Sequence, residues 1–196
     1  MIPLLFIRHG PTVWNAEGRI QGQTDIELSD AGRAEVATWS LPAEFRDYQW
    51  TASPLSRAMG TAKLLGASNV QAEPRLTEMN WGTWEGHTLA ELRSANGADM
   101  AENEARGLDF RPPQGESPRM VQLRLQDWVG DVRKTGHAVI AVTHKGVIRA
   151  ALALATGWDM AEKSIHRLKW DRAHLFGLSG NGKLSLERYN IRLVQQ

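Results

Sequence analysis

The sequence alternates short apolar runs with longer stretches in which apolar and polar residues repeat with a helical period. The runs PLLFI, residues 3–7, and VIAVT, residues 139–143, each contain at most one polar side chain. Such continuous runs are typical of strands buried on both faces of a parallel sheet. The segments QWTAS, residues 49–53, and VQAE, residues 70–73, are weaker strand candidates.

The longer stretches carry residues that begin and end helices. Ser29 precedes one of them, and Ser53 and Ser117, each followed by proline, precede two others. A serine N-cap with proline at the first helical position is a common helix entry, and Gly66 and Gly157 are suited to helix ends. These signals predict helices over residues 28–39, 53–66, 117–134 and 147–156.

Strands that alternate with helices predict an α/β fold. We expect a three-layer α/β/α sandwich, with a mostly parallel central sheet and helices on both of its faces. The tail, residues 174–189, predicts a hairpin turned at Asn181-Gly182. Residues 94–115 are rich in polar residues, glycine and proline, and we interpret them as a surface insertion or lid within a single domain of residues 1–196.

Composition narrows the class of protein. The 196 residues are 42% hydrophobic and 23% charged, which allows one sizeable core. The formal net charge of +1 argues against general binding of nucleic acid but permits a local cationic pocket. The lack of cysteine excludes disulfides, thiolate nucleophiles and cysteine-ligated zinc. Because no apolar stretch is long enough to span a bilayer and no secretory leader is recognised, we expect a cytoplasmic protein without a membrane partner.

Cationic and titratable residues follow three of the predicted strands. PLLFI ends in Arg8 and His9, QWTAS leads into a helix that carries Arg57, and VIAVT ends in His144. In a parallel sheet these strand exits lie along one edge, where α/β proteins bind ligands. Helix N-termini at that edge add free N–H groups and a positive dipole. Guanidinium groups, with their forked N–H donors, and imidazoles in this arrangement predict a site that binds a phosphate or a carboxylate group.

Six segments match one known family in order and in approximate spacing. They are RHGPTVWN, GRIQGQTDIELSDAG, SPLSRAMGTA, LTEMNWGTWEG, QGES and VTHKGVIR. From residue 4 to about residue 190, the chain resembles the histidine phosphatase superfamily, the phosphoglycerate-mutase-like group named for its Arg-His-Gly motif. Arg-His-Gly alone is a weak signal, whereas its combination with Ser-Pro-x-x-Arg-Ala and a late Thr-His is highly specific.

The resemblance implies how this site works. His9 matches the family's nucleophile, which attacks phosphorus and forms a phosphohistidine, and Gly10 is expected to allow a tight backbone turn beside it. Phosphoryl transfer depends mainly on positioning and on stabilising the charged oxygens, so surrounding cations can replace a metal, and we expect no metal or cofactor. The residues that match phosphate-binding positions are Arg8, Asn15, Thr24, Arg57 and His144.

Two glutamates compete for the role of proton donor. Glu78, in LTEMNWGTWEG, matches the family's acid to the leaving oxygen, and the same carboxyl would then activate water. We expect Glu85, in the same segment, to have a structural or supporting role. Glu116 is interpreted as an acidic residue favoured by the dipole of the following helix. Lys145 stands where the family often has glycine; it either adds a charge for substrate binding or extends into solvent.

We therefore expect a phosphatase that hydrolyses small phosphomonoesters and resembles α-ribazole phosphatases and broad-specificity members. The segment LTEMNWGTWEG resembles the phosphatase branch rather than the mutase branch, and the insertions that enclose a mutase site are missing. One alternative is a phosphoglycerate mutase that depends on a bisphosphate. The other is a phosphate-binding module without catalysis, which the intact set of motif residues disfavours.

The identity of the substrate is not encoded in any motif that can be read directly. The expected partners are a small phosphorylated metabolite and inorganic phosphate as product, with no nucleic acid, and a homodimer is left open. The candidates to read the leaving alcohol are Arg106, Asp109 and Arg111 in the polar insertion. Trp14 and Trp81 lie beside motif residues, where packing is the expected role and lining of the pocket the alternative.

Overall fold

The computed structural model describes residues 1–195, and its centre is one sheet of six strands in the order β4-β3-β5-β1-β6-β7. The strands β4, β3, β5 and β1 are parallel, while β6 and β7 are antiparallel to their neighbours. The six strands are β1 Ile2–Arg8, β3 Gln49–Ala52, β4 Val70–Ala72, β5 Val139–Thr143, β6 Arg172–Leu178 and β7 Leu184–Arg192. The predicted mostly parallel sheet and the terminal hairpin are therefore confirmed.

A second, two-stranded sheet pairs β2, Trp39–Ser40, with β8, Val194–Gln195. The sequence pattern did not predict it, because two residues are too few to show an alternation of apolar and polar positions.

In residues 1–195, six α-helices connect and cover these strands. They are α1 Val13–Ala16, α2 Asp30–Ala37, α3 Ser56–Leu64, α4 Leu89–Ala105, α5 Pro118–Thr135 and α6 Lys145–Thr156. Short 3₁₀ turns occur at Ala43–Phe45, Pro74–Leu76, Gly82–Trp84 and Gly107–Asp109. Within the described part of the chain, no helix is long and apolar enough to cross a bilayer.

The side chains of β1 alternate between two hydrophobic cores, one on each face of the sheet. Leu4 and Phe6 belong to the core that contains the buried residues of α5 and α6. Leu5 and Ile7 belong to the core that contains Val36 of α2 and the buried alanines of α3. Because successive strand residues point to opposite faces, this division confirms the three-layer arrangement. Full burial of one such side chain contributes about 1.5–3 kcal/mol.

Two of the predicted helix entries are confirmed and one is wrong. The hydroxyls of Ser29 and Ser117 accept hydrogen bonds from the third residue beyond each, as N-caps do. Helix α3 instead begins at Ser56, with Leu55 as its N-cap. Ser53 does not cap it, because its hydroxyl lies 2.7 Å from Nε2 of His144 and takes part in the buried site.

The polar segment after residue 88 is largely helical. Helix α4 is interrupted at Gly97, whose φ of 46° is outside the helical region. Leu92 and Met100, on either side of this break, pack with Trp84 and Phe110 in a small separate cluster. This cluster keeps the segment against the mouth of the pocket described below.

Candidate active site

The predicted strand exits converge on one pocket. Parallel pairing of β1 with β5 places Arg8 beside Thr143, and the N–H of His9 donates to the Thr143 carbonyl at 2.9 Å. The N–H of Ser53, after β3, donates to Val142. A cavity of about 510 Å³ opens at this edge. Its walls include the sequence-predicted residues Arg8, His9, Asn15, Arg57, Glu78 and Lys145.

The ring of His9 is held in one tautomer. Its Nδ1 lies 2.7 Å from the carbonyl oxygen of Gly10. Since a carbonyl only accepts, Nδ1 carries the proton and Nε2 keeps a free lone pair. The Gly10 N–H donates to the hydroxyl of Thr61, which in turn donates to the carbonyl of Arg57. The nucleophile predicted from sequence is thus fixed by its own backbone and by helix α3.

Gly10 is required for a different reason from the one predicted. It is not among the residues with positive φ, so the turn itself does not need glycine. A Cβ at this position would collide with the side chain of Val36. The glycine therefore lets helix α2 approach the end of β1 closely.

The guanidinium of Arg57 is completely buried. It donates to the carbonyl of Gly22 at 2.7 Å and to that of Thr24 at 2.9 Å. Lysine has no fixed fork and could not make both bonds in this geometry. Arg57 is therefore both a cation of the pocket and the anchor of the loop around residue 22.

Three buried nitrogens around His9 lack a hydrogen-bond partner in the described part of the chain: Nε of Arg8, Nε of Arg57 and Nδ1 of His144. The ring of His144 lies 5.1 Å from that of His9, measured between centroids. Its Nε2 contacts Ser53, whose hydroxyl accepts from the Leu55 N–H and can donate to Nε2. In that arrangement Nδ1 carries a proton. Buried donors without partners are costly, and an anion that accepted hydrogen bonds from them would remove this cost.

Burial and the neighbouring cations keep both histidines neutral. Desolvation, followed by the charges of Arg8 and Arg57, holds the pKa of His9 well below its usual range. Desolvation also holds the pKa of His144 well below its usual range, and the neighbouring His9 and Arg57 add to the effect. A neutral imidazole retains the lone pair that a nucleophile needs.

Glu78 lies at the pocket wall with its carboxyl held by the backbone. The N–H of Met79 donates to Oε1 at 2.8 Å, and the N–H of Gly146 donates at 3.1 Å. Desolvation raises the pKa of this carboxyl despite those two bonds and the nearby Arg57. A carboxyl that keeps its proton to higher pH is suited to act as a general acid.

Three other predicted residues, Glu85, Thr24 and Asn15, make hydrogen bonds that support the loops around the pocket. The carboxylate of Glu85 accepts from the backbone N–H groups of Gln23, Thr24 and Trp81, and from the Thr24 hydroxyl. Glu85 therefore braces the loop that Arg57 also holds. Thr24 is absent from the walls of the pocket, and its N–H and hydroxyl both donate to Glu85. Asn15 does line the pocket, although its side-chain oxygen is occupied by the N–H of Thr12.

Glu116 is more than a residue favoured by a helix dipole. Its carboxylate accepts from the Asn80 N–H at 2.9 Å and pairs with Arg124, and both of these charged side chains are mostly buried. Arg124 also donates to the carbonyls of Arg75 and Glu78. The Glu116–Arg124 pair thus fixes the segment that carries Glu78.

The predicted polar segment does line the outer part of the pocket, but through Glu104, Gly107 and Phe110 instead of the three predicted residues. Arg106, Asp109 and Arg111 are not among its walls; Arg106 pairs with Glu102 and Asp109 with Arg119. Lys145 does line the pocket, as do Trp14 and Trp81. The remaining residues of the outer wall come mainly from α4, α6 and the loops after them: Leu89, Arg93, Glu104, Gly107, Phe110, Arg149 and Met160. In residues 1–195, no three histidine or carboxylate side chains are grouped as a metal site requires.

The sequence reasoning missed several residues of the site because their partners are distant in the chain. Thr61 fixes Gly10 from 51 residues away, and Gly146 holds Glu78 from 68 residues away. Arg149 lies in the segment VTHKGVIR, where the family resemblance implies no role for it. The only feature of the sequence that points to Arg149 is its position four residues after Lys145, which places the two side chains on one face of a helix.

Comparisons with known proteins identify the family of the chain. The model of the histidine phosphatase superfamily (branch 1) matches residues 4–191. A glucosyl-3-phosphoglycerate phosphatase of Mycolicibacterium vanbaalenii is 34% identical over 169 residues, covering 79% of this chain and 74% of that protein. A 2,3-bisphosphoglycerate-dependent phosphoglycerate mutase 2 of Gloeobacter violaceus is 29% identical over 167 residues, covering 78% and 74%.

Solved structures agree with the fold. A mycobacterial glucosyl-3-phosphoglycerate phosphatase in complex with VO3 superposes with a TM-score of 0.80 at 26% identity, covering 97% of this chain and 100% of that one. An α-ribazole phosphatase of Shigella flexneri gives a TM-score of 0.82 at 20% identity, covering 100% and 99%, and shows a shared fold. The predicted family and the α/β fold are thereby confirmed.

Proposed function

The chain belongs to the histidine phosphatase superfamily (branch 1), and from this we propose that it hydrolyses small phosphomonoesters without a metal, through a phosphohistidine on His9. One observation carries the proposal. The hydrogen bond to Gly10 leaves Nε2 of His9 unprotonated in a pocket that Arg8 and Arg57 also line, and in the described part of the chain buried nitrogens of these two arginines and of the neighbouring His144 lack partners. A phosphate dianion at this point would pair with those donors and present its phosphorus to the free nitrogen.

In the first step, Nε2 of His9 attacks phosphorus in line. The N–P bond forms while the bond from phosphorus to the ester oxygen breaks, and Glu78 donates its proton to the departing oxygen. The alcohol then leaves. Arg8 and Arg57 stabilise the charge on the phosphoryl oxygens during the transfer, with His144 as a neutral donor.

In the second step, water cleaves the phosphohistidine. Glu78, now a carboxylate, accepts a proton from the water as its oxygen bonds to phosphorus. The N–P bond breaks, inorganic phosphate leaves, and His9 returns to its neutral form. The net reaction consumes one water and converts a phosphomonoester to an alcohol and phosphate.

A mutase is the second candidate, because a phosphoglycerate mutase is among the relatives. Hydrolysis is favoured because LTEMNWGTWEG is of the phosphatase type and a phosphatase is similar at 34% identity. The two are separated by measuring interconversion of 3- and 2-phosphoglycerate with a bisphosphate primer. A rate far above that of hydrolysis would favour the mutase.

The direct test is hydrolysis of p-nitrophenyl phosphate in the presence of a chelator. We expect the wild type to be active and His9→Ala to lose about 10³-fold or more in kcat. His137→Ala, which changes an exposed histidine before β5, is the matched control and should behave as wild type. Equal rates for wild type and His9→Ala would reject the nucleophile.

A further inference from the structure

The pocket contains more positive charge than a phosphate group requires. Six cationic side chains line it, together with the carboxyls of Glu78 and Glu104. Two of the cations are paired with carboxylates, Arg19 with Glu17 and Arg93 with Glu104. Among residues 1–195, the other four form no ion pair: Arg8, Arg57, Lys145 and Arg149.

A phosphomonoester accounts for only half of these unpaired cations. Its dianion is matched by Arg8 and Arg57, which flank His9 at the bottom of the pocket. Among residues 1–195, Lys145 and Arg149 then remain without an ion-pair partner, and the one carboxyl whose charge acts on both is that of Glu78, which the reaction uses. Because like charges near one another are unfavourable, this pair is expected to attract a second anion.

Lys145 and Arg149 are arranged on one face of α6. They are four residues apart, which brings their Cβ atoms to about 5–6 Å on a helix. Each is held against an indole ring of the loop that follows the helix. The Nζ of Lys145 is 5.4 Å from the ring centroid of Trp170, and the Cζ of Arg149 is 5.1 Å from that of Trp158. Cation–π contacts of this kind fix a cation without neutralising it.

The second pair of cations adjoins the phosphate-binding part of the pocket. Arg8 lies over the same indole of Trp170 as Lys145, with its Cζ 6.0 Å from the centroid. Burial, then the charges of Arg149 and Arg8, lowers the pKa of Lys145, which agrees with cations lying close together. Because Arg8 and Lys145 lie at the same indole, one small substrate could place its phosphate beside Arg8 and a second anionic group between Lys145 and Arg149.

We propose that Lys145 and Arg149 form a second anion site, and that the substrates of this enzyme are phosphomonoesters with a further anionic group. The inference rests on the proposed phosphatase function. It assigns the two cations to substrate selection, whereas His9 and the residues around it perform the transfer. A carboxylate and a second phosphate share the required chemistry.

The test compares substrates that differ only in the second anion. One pair is 3-phosphoglycerate and glycerol 3-phosphate, which differ in a carboxylate. The other is propane-1,3-diol bisphosphate and its monophosphate, which differ in a phosphate. We expect the wild type to prefer the doubly anionic member of at least one pair, and the pair with the larger preference identifies the second group.

Lys145→Met and Arg149→Met remove one charge each and keep much of the apolar stem. In either variant we expect the preference, as a ratio of kcat/KM values, to fall about tenfold, mainly through KM. Lys163→Met, which removes an exposed cation from the same loop, should leave the ratio unchanged. A wild type without preference in either pair, or a ratio within twofold of wild type in both variants, would overturn the proposal.

A binding measurement separates this proposal from the catalytic one. In the His9→Ala background, calorimetric titration with each substrate pair reports affinity without turnover. If the wild type hydrolyses nothing but this protein still prefers the doubly anionic ligand, the function fails and the second site stands. If hydrolysis occurs without such a preference, the function stands and the second site fails.

Discussion

The two ends of the pocket are built differently. The phosphate end, consisting of Arg8, His9, Arg57 and His144, lies on the sheet edge, and its histidines and Arg57 are at most 5% exposed. Its geometry is fixed by hydrogen bonds to backbone carbonyls and to buried hydroxyls. The outer wall, formed by residues 89–110 and 145–170, relies on exposed side chains and on cations against indole rings.

This difference separates the reaction from the choice of substrate. A change in the outer wall alters side chains at the surface and leaves the buried hydrogen bonds around His9 in place. A change in the phosphate end removes hydrogen bonds between buried groups and leaves their partners unsatisfied. We therefore expect mutations at the phosphate end to reduce turnover of all substrates, and mutations in the outer wall to alter the ranking of substrates.

The largest effect is expected at Glu78, where the leaving group is protonated. Glu78→Gln should reduce kcat/KM for an alkyl phosphate such as glycerol 3-phosphate by about 10²–10⁴-fold. The loss for p-nitrophenyl phosphate should be much smaller, because nitrophenolate leaves without a proton. Both rates are measured with the same preparation, and equal losses would show that Glu78 is not the proton donor.

The same glutamate should set the alkaline side of the pH profile. Its pKa is raised by burial, so the acid form persists to higher pH and activity falls as pH rises through that raised pKa. His9, with its lowered pKa, stays neutral at pH values where an ordinary histidine is protonated. In Glu78→Gln the alkaline decrease for alkyl phosphates should disappear, and its persistence would assign it to another group.

The next effect is expected at Arg57. Arg57→Lys keeps the charge but loses the fork that reaches Gly22 and Thr24, and kcat/KM should fall about 10²-fold for every substrate. The equivalent change in the outer wall, Arg149→Lys, should alter turnover of p-nitrophenyl phosphate much less. If both variants lost activity equally, the contrast between the two ends of the pocket would be wrong.

A smaller effect is expected from crowding Glu78. In Gly146→Ala the added methyl group would collide with the Glu78 carboxyl. We expect kcat to fall about tenfold, which corresponds to an increase of ~1.4 kcal/mol in the activation free energy. Gly130→Ala is the matched control, since nothing lies within 4 Å of the Cβ that it adds. That variant should keep full activity and gain about 0.5–1 kcal/mol in helix stability. A Gly146→Ala enzyme with wild-type kcat would contradict the positioning of Glu78.

The smallest effect is expected for the ion pair between Arg93 and Glu104. The two side chains are 57% and 35% exposed, so Glu104→Gln should leave the free energy of unfolding nearly unchanged. Urea denaturation measures this directly. A larger loss would show that the outer wall contributes to the stability of the fold.

The sequence predicted the phosphate end better than the outer wall for a physical reason. Arg8 and His9 follow an apolar run whose burial determines their position, so a local pattern was sufficient. Ser-Pro is a local signal for the start of a helix, and it predicts Ser53 as an N-cap. In the structure the partner of Ser53 is His144, which lies 91 residues away in the chain and which no local signal could indicate. The side chain of Lys145 extends toward Trp170. No repeating pattern in the sequence links these two residues, so the direction of this side chain could not be predicted.

The central claim is that His9 carries the phosphoryl group during turnover. The most direct measurement mixes the protein with substrate, quenches at alkaline pH, where phosphohistidine persists, and locates the modification by mass spectrometry of the peptides. We predict one phosphoryl group on His9 in the wild type and none in His9→Ala. Active turnover with no modified His9, or a phosphoryl group on another residue, would contradict the mechanism.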